Sequence, residues 1–272
     1  MNPYSTDLAA AANGLAANAG LLWELTKRDF VQRYKGSVFG VAWSLFTPLL
    51  MLAIYTFVFS VAFKARWGTA DDGKIGFAIV LFSGLIVHGL FAECLTRAPS
   101  LITANPNYVK KVVFPLEILP LVTMGSALGN FAVSLAVLLV FCLLSGTPLH
   151  ATGLLLPVLL LPLLLTILGL SWMLASLGVY LRDFAQLIGM VTTIALFLSP
   201  IFYPITALPP LFQSLLVLNP ITLPVITLRS ALLWGDSINW LAWTISLIAG
   251  AAIFYFGFVW FQKTRRGFAD VL

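Results

Sequence analysis

The stretch LTKRDFVQRYKGSVFGVAWSLFTPLL, Leu25 to Leu50, decides how the whole chain is read. Its first half is basic and amphipathic: Lys27, Arg28, Arg33 and Lys35 alternate with Phe30 and Tyr34, just after Trp23. Its second half opens a run of 26 residues without charge, Val38 to Phe63. At about 1.5 Å per residue that run gives roughly 39 Å of helix, enough to cross a bilayer with some tilt. Two readings fit. In one, a helix on the membrane surface turns into a helix that spans it. Gly36, Ser37 and Gly40 would then supply the bend, because glycine tolerates backbone angles that other residues avoid. In the other, the basic half is a flank that only sets topology.

Working outward, the composition supports a membrane protein throughout. The 272 residues are 60% hydrophobic and 9% charged, with a mean hydropathy of +1.00. A soluble domain of this length cannot hide so much apolar surface. The 15 Lys+Arg against 10 Asp+Glu report topology rather than nucleic-acid binding, since no basic patch stands on a soluble domain. Residues 1-20 read as a flexible polar tail without the basic-then-apolar plan of a cleaved signal peptide. Cys94 and Cys142 fall in or beside apolar spans, where packing is the default role.

Charge-free runs mark the spans of an all-α, polytopic chain with six transmembrane helices. A single transmembrane domain, 21-272, is expected to hold an interface helix at 22-35. Its spans would lie at about 38-63, 75-95, 117-144, 154-181, 184-203 and 237-262. Ile118 to Leu181 has 64 residues without Asp, Glu, Lys or Arg, and SGTPLHATG (Ser145 to Gly153) breaks it into two spans. The 45-residue run Phe184 to Leu228 holds six prolines: Pro200, Pro204, Pro209, Pro210, Pro220 and Pro224. So many breaks suit one short span followed by re-entrant segments, which membranes tolerate only where protein or water covers the backbone.

Six spans put both termini on one side. Lys27, Arg28, Arg33, Lys35, Arg97, Lys110, Lys111, Arg182, Lys263, Arg265 and Arg266 then share that side, leaving Lys64, Arg66, Lys74 and Arg229 for the other. The positive-inside rule makes the richer side cytoplasmic. The expected location is the cytoplasmic (inner) membrane, multi-pass, with both termini inside.

The chemistry-bearing residues are few. There is no GxxxxGK[ST] loop, so the chain does not hydrolyse ATP by that route. His88 and His150 have no second ligand at metal spacing, and neither a metal site nor a catalytic site is expected. Glu93 and Glu117 stand at span ends rather than mid-membrane, which argues against an ion-coupled carrier. Tyr55, Phe57 and Phe59, and further on Phe197, Phe202 and Tyr203, would either line a passage for sugars or form an interfacial belt and core.

Several blocks together resemble a known family. WELTKRDFVQRYKGSVFGVAWSLFTPLL, NPNYVKKVVFPLEILPL, LGVYLRDFAQL, FLSPIFYPITALPPLFQSLLVLNP and RRGFADVL are similar to the permease subunits of polysaccharide-exporting ABC transporters. O-antigen exporters of the Wzm type lead that group, with teichoic-acid and capsule exporters as relatives. The resemblance runs from Trp23 to Leu272. It implies a homodimer joined to two copies of a separate ABC ATPase, so that ATP and Mg bind the partner and no cofactor binds this chain. It also implies a lipid-linked polysaccharide substrate, carried on undecaprenyl pyrophosphate in this family's manner. The interface helix becomes Leu22–Lys35, the coupling segment lies within Pro99–Phe114, and periplasmic re-entrant helices fall within Leu208–Trp234.

On this reading Arg33 and Lys35 are the expected pyrophosphate and gate residues, since Arg forks match phosphate oxygens and Lys acts as a point charge. Tyr55, Phe59, Phe197 and Tyr203 are the expected channel aromatics. Arg28, Asn105, Lys110 and Lys111 are the expected contacts for ATPase coupling. A teichoic-acid or capsule exporter is the near alternative. A membrane-embedded glycosyl or acyl transferase is the alternative from another class, although it would need an acid, base or nucleophile cluster that the sequence does not display.

Overall fold

Residues 18–58, 74–110, 114–181 and 183–271 are described by the computed structural model, and the regular structure among them is helical. Phe59, Lys64, Arg66, Lys111, Arg182 and residues 1–17 lie outside the described residues, as does the side chain of Lys110. Helix α1, where the interface helix is expected, spans Ala19–Gln32. The first membrane helix, α2 (Trp43–Tyr55), follows a 3-10 turn at Gly40–Ala42, and the apolar segment they form runs over Gly40–Val58. The chain goes on through α3 (Lys74–Arg97), the short α4 (Pro106–Lys110) and the long α5 (Ile118–Ser145).

The fourth membrane segment, Ala151–Tyr180, is built from a 3-10 turn, α6 (Leu156–Leu159) and α7 (Leu161–Tyr180). Pro157 and Pro162 each stand in the first turn of a helix, where a missing N–H leaves no intrahelical bond unmade. Next come α8 (Phe184–Phe197), α9 (Pro210–Leu216) and α10 (Thr222–Arg229), the last continued by a π turn to Trp234. The closing helices are α11 (Trp240–Thr264) and α12 (Phe268–Val271). Five segments among the described residues are long and apolar enough to cross a membrane: Gly40–Val58, Ile75–Ser100, Ile118–Ser145, Ala151–Tyr180 and Trp240–Val271. The chain is an all-α, multi-pass membrane protein.

Three of the boundaries that differ from those read in the sequence have a local reason. The interface helix ends at Gln32 rather than residue 35, and the first span becomes α-helical only at Trp43 rather than 38. Gly36 (φ 89°) and Gly40 (φ 51°) hold left-handed conformations that keep the intervening residues in turns. A Cβ at either glycine would meet nothing within 4 Å, so the requirement there is for backbone angle and not for space. The fifth span ends as a helix at Phe197 rather than 203, since Pro200 disfavours helical angles at the residue before it. Its 14 residues give about 21 Å, short of the ~30 Å apolar thickness of a bilayer.

Of the long helices α3 is the most enclosed, and α2 is the most peripheral. Around α3, Leu81, Val87 and Phe91 join Leu138, Ile167, Val225 and Leu228 in one core that reaches most of the bundle. α7 and α11 share the closest seam. A Cβ at Gly257 would stand 2.6 Å from the carbonyl carbon of Gly169, and one at Gly250 would stand 2.6 Å from the Pro162 carbonyl oxygen. Small residues are what allow two membrane helices to approach this far.

Contacts sort the loops to two ends. At one end Arg28 meets Tyr108, Arg265 meets Glu117, and Tyr180 donates to the Thr264 carbonyl. This end therefore holds α1, α4 and the chain's last helix. At the other end His150 donates its backbone N–H to Leu232, and Thr152 donates to the Ala231 carbonyl. α9 and α10 belong to that far end, where Asn219 ties back to the carbonyls of Ala195 and Leu198.

Arg229, expected among the outer-side charges, is buried with 1% exposure. Its guanidinium donates to the carbonyls of Val80 (2.8 and 3.1 Å), Pro200 (2.6 Å) and Ile201 (3.3 Å), and to the Ser83 hydroxyl. These bonds pin α10 and the proline-rich turn to α3. Gly84 makes the room: a Cβ there would stand 2.7 Å from Arg229 Nη2.

Candidate functional site

Two arginine–carboxylate pairs lock α1 onto the end of α3. Asp29 and Arg33 are four residues apart on and just beyond α1, and Glu93 and Arg97 are four apart on α3. That spacing supports pairing within each helix. The structure exchanges the partners instead. Arg97 grips Asp29 with two bonds of 2.6 and 2.9 Å, and Arg33 Nη2 sits 2.5 Å from Glu93 Oε1. The within-helix distances are both 3.9 Å. The forked Arg97–Asp29 pair fixes orientation as well as position, and the single Arg33–Glu93 contact adds a second ion pair across the same helices.

Polar neighbours extend the cluster into α5. Asn130 donates to Glu93 Oε2 (3.1 Å), Tyr34 donates to Asn130 Oδ1 (3.0 Å), and Arg33 donates to the Ser126 hydroxyl (3.3 Å). Burial alone would raise the Asp29 carboxyl, but the hydrogen bonds and charge of Arg97 outweigh it and hold the group below its ordinary value. For Arg33, burial would lower the pKa, and the hydrogen bond and charge of Glu93 raise it instead. The seat for α1 is cut by Gly125 and Gly129, a GxxxG pair on α5. A Cβ at Gly125 would stand 2.8 Å from Thr26 Cγ2, and one at Gly129 would stand 3.1 Å from the Phe30 ring.

Beside this cluster lies a cavity of about 420 Å³ between α2, α3 and α5. Arg33, Tyr34, Glu93 and Asn130 form its polar end, while Met51, Tyr55 and Leu85 are among its apolar and aromatic walls. On the other side of the ion pairs a smaller crevice of about 190 Å³ lies between α1 and the residues leading into α4, lined in part by Arg28, Gln32, Arg97, Ser100, Asn105 and Tyr108.

The expected site residues therefore fall into separate groups. Arg33 and Tyr55 share the larger cavity, whereas Arg28 and Asn105 share the crevice. Arg33 is not a free cation waiting for a ligand, because Glu93 already holds it. Lys35 is exposed and has no ion pair among the described residues. Arg28 donates to the Tyr108 hydroxyl at 2.8 Å, which links α1 directly to α4, and Asn105 donates to the Leu101 carbonyl. Phe197 and Tyr203 stand at the far end. There Tyr203 donates to the Phe197 carbonyl and edges an apolar cavity of about 760 Å³. Phe59, Lys111 and the side chain of Lys110 lie outside the described residues.

The sequence puts Glu93 at a span end without a partner and marks Arg97 only as an inner-side charge, and it singles out neither Asp29 nor Asn130. The D-x-x-x-R and E-x-x-x-R spacings were the available signal. The exchange of partners between them depends on a helix contact that neither spacing reveals.

A bundle of apolar spans with a charged helix clamped at one end beside a short polar segment has the build of a transporter's membrane component. The chain belongs to the ABC-2 type transporter family, whose profile it matches over residues 20–233. That region contains α1, the ion-pair cluster and both cavities beside it. Among characterised relatives it is similar to the O-antigen export system permease protein RfbA of Klebsiella pneumoniae. The two are 26% identical over 260 residues, covering 94% of this chain and 97% of the relative. The protein of the same description from Myxococcus xanthus is 29% identical over 203 residues, covering 74% of this chain and 75% of the relative.

Proposed function

We propose that this chain is the membrane-spanning subunit of an ATP-driven exporter that moves a lipid-linked polysaccharide of the O-antigen type across the cytoplasmic membrane. It would work as a homodimer with two copies of an ABC ATPase, which bind ATP and Mg, and both of its termini would face the cytoplasm. The similarity to O-antigen export permeases supports the polysaccharide, since it runs over nearly the whole chain.

The observation that carries the lipid-linked part of the reading is the amphipathic cavity beside the ion pairs. A charged and hydrogen-bonding end opens into apolar walls that include Tyr55, as a substrate with an anionic head and an isoprenoid tail requires. Arg33 would take a phosphate oxygen pair through its fork, and Lys35 would add a second positive charge at the surface. The crevice under α1 and the Arg28–Tyr108 contact support a coupling role for the segment around Asn105, Lys110 and Lys111. Tyr203, Phe197 and Phe59 would contact the sugar chain farther along. Aromatic faces suit that task, because many weak contacts let a polymer slide.

The test is export in cells that lack the chromosomal copy and carry variants on a plasmid. Arg33→Ala with Lys35→Ala should reduce surface polysaccharide at least about tenfold while the ATPase still co-purifies. Unchanged surface polysaccharide in the double variant would refute the role of both cations.

A further inference from the structure

We infer that Glu93 is a displaceable counter-ion: a phosphate-bearing lipid headgroup entering the 420 Å³ cavity takes Arg33 from Glu93, and Glu93 closes onto Arg97. This inference rests on the lipid-linked substrate proposed above and specifies how that substrate is admitted.

The geometry supplies each part of the exchange. Glu93 stands between two guanidinium groups, 2.5 Å from Arg33 and 3.9 Å from Arg97. Arg33 and Glu93 line the larger cavity, whereas Arg97 lines the crevice on the opposite side of the pair. A side-chain rotation of Glu93 toward its own helix therefore vacates the cavity without leaving the carboxylate uncompensated. Asp29 is the weaker rival for Arg33, because Arg97 holds both of its oxygens at 2.6 and 2.9 Å while Arg33 stands 3.9 Å away.

The rotation also frees a second donor. Asn130 Nδ2 now donates to Glu93 Oε2, and the Tyr34 hydroxyl fixes the amide by donating to Asn130 Oδ1. When Glu93 leaves, that N–H still faces the site its oxygen occupied. An arriving phosphate thus meets the Arg33 fork and the Asn130 amide already aimed, and little reorganisation is needed.

The resting state has two cations and two carboxylates in contact, so the cluster is neutral. Neutrality keeps weakly held anions out, since a monoanion gains nothing over the carboxylate it must displace. A pyrophosphate carries more charge than that carboxylate and offers more acceptor oxygens, so it wins the exchange. Glu93 then acts as a specificity-determining residue that sets a threshold of ligand charge.

The test measures binding of geranylgeranyl pyrophosphate, with geranylgeraniol as uncharged control, to the full-length chain in phosphatidylcholine nanodiscs by native mass spectrometry. Glu93→Gln keeps the shape and removes the competing charge. It should bind the pyrophosphate on the order of tenfold more tightly, an effect of about 1.4 kcal/mol. Geranylgeraniol binding should not change, and adding Arg33→Gln should abolish the gain. Glu93→Asp retains the charge but withdraws it from Arg33, and should fall between wild type and Glu93→Gln; it serves if the amide variant does not fold.

Wild-type affinity in both Glu93 variants, or equal tightening for the alcohol, overturns the exchange while the export reading stands on the cellular assay. Loss of the parent reading shows itself differently: deletion of the chain leaves surface polysaccharide unchanged, whatever the nanodiscs report. Repeating the titration with phosphatidylglycerol in the bilayer separates the headgroup sources. A Glu93→Gln gain that survives there supports the isoprenoid pyrophosphate, and a gain erased by competition overturns that choice in favour of bulk anionic lipid.

Discussion

Arg229 and Gly84 form a pair whose energetics should be readable as a double-mutant cycle. Replacing Arg229 by Met keeps an unbranched stem and deletes the guanidinium, with five hydrogen bonds from it to α3 and the Pro200 turn. At about 0.6 kcal/mol for an average polar contact inside a membrane protein, the loss is ~3 kcal/mol. The carbonyls of Val80, Pro200 and Ile201 are also uncovered, and a buried acceptor without its donor costs about 1–3 kcal/mol.

Arg229→Met should therefore destabilise by at least ~3 kcal/mol. Gly84→Ala alone should destabilise too, because the new methyl stands 2.7 Å from Arg229 Nη2 and 3.1 Å from Ile201 Cγ1. In the Arg229→Met background most of that clash is gone, so the second change should add less than half of its single effect. Reversible unfolding of the full-length chain in mixed micelles gives all four corners. Additive effects, within the ~0.5 kcal/mol expected of independent sites, would refute the claim that Gly84 exists to house the guanidinium.

Three further outcomes follow from the structure. The depressed pKa of Asp29 means that its pairing with Arg97 stabilises the fold fully above the ordinary carboxylate value near 3.8 and is lost as pH falls through the lower folded value. Wild type should thus lose more thermal stability than Asp29→Asn between pH 5 and pH 2, and equal losses would remove Asp29 from the acid response. Alanine at Tyr55 or Tyr203 should slow export more than Leu45→Ala on the exposed face of α2, whereas equal slowing would return both tyrosines to a packing role. Ala269→Cys, in a chain with Cys94 and Cys142 replaced, should resist an impermeant thiol reagent in intact cells; labelling there would place the last helix outside and refute the six-span count.

The spans were legible because a bilayer demands about 20 apolar residues in a row, and the chain writes such runs between its charges. Helix ends were less legible. Gly36 and Gly40 were recognised as a bend, yet only the positive φ at both shows that the bend absorbs ten residues between α1 and α2. The candidate site was half legible. Arg33 was picked out by its position at the membrane surface, while its partner Glu93 lies 60 positions away and is brought to it by the GxxxG seat that α5 offers to α1. Arg229 was read only as one of the outer-side charges, and its burial stayed hidden because counting charges by side presumes that each charge reaches water. A lone arginine in an otherwise apolar, proline-rich stretch has a second option, which is to satisfy the carbonyls that the prolines leave open.

The glycine seam between α7 and α11 has a mechanical consequence. With backbone against backbone at Gly169, Gly250 and Gly257, the two helices have no side-chain layer in which to slide or splay, and together they form a stiff strut. The strut is gripped at its base. Gly178 of α7 rests on the Pro99 backbone, and Phe268 of α12 is buried with Ile102, Leu116 and Phe261. A push delivered to the segment around Pro99 would travel up this strut almost undamped. Compliance would reside instead in the polar, partner-exchanging contacts that hold α1 to α3 and α5, on the opposite side of the same segment.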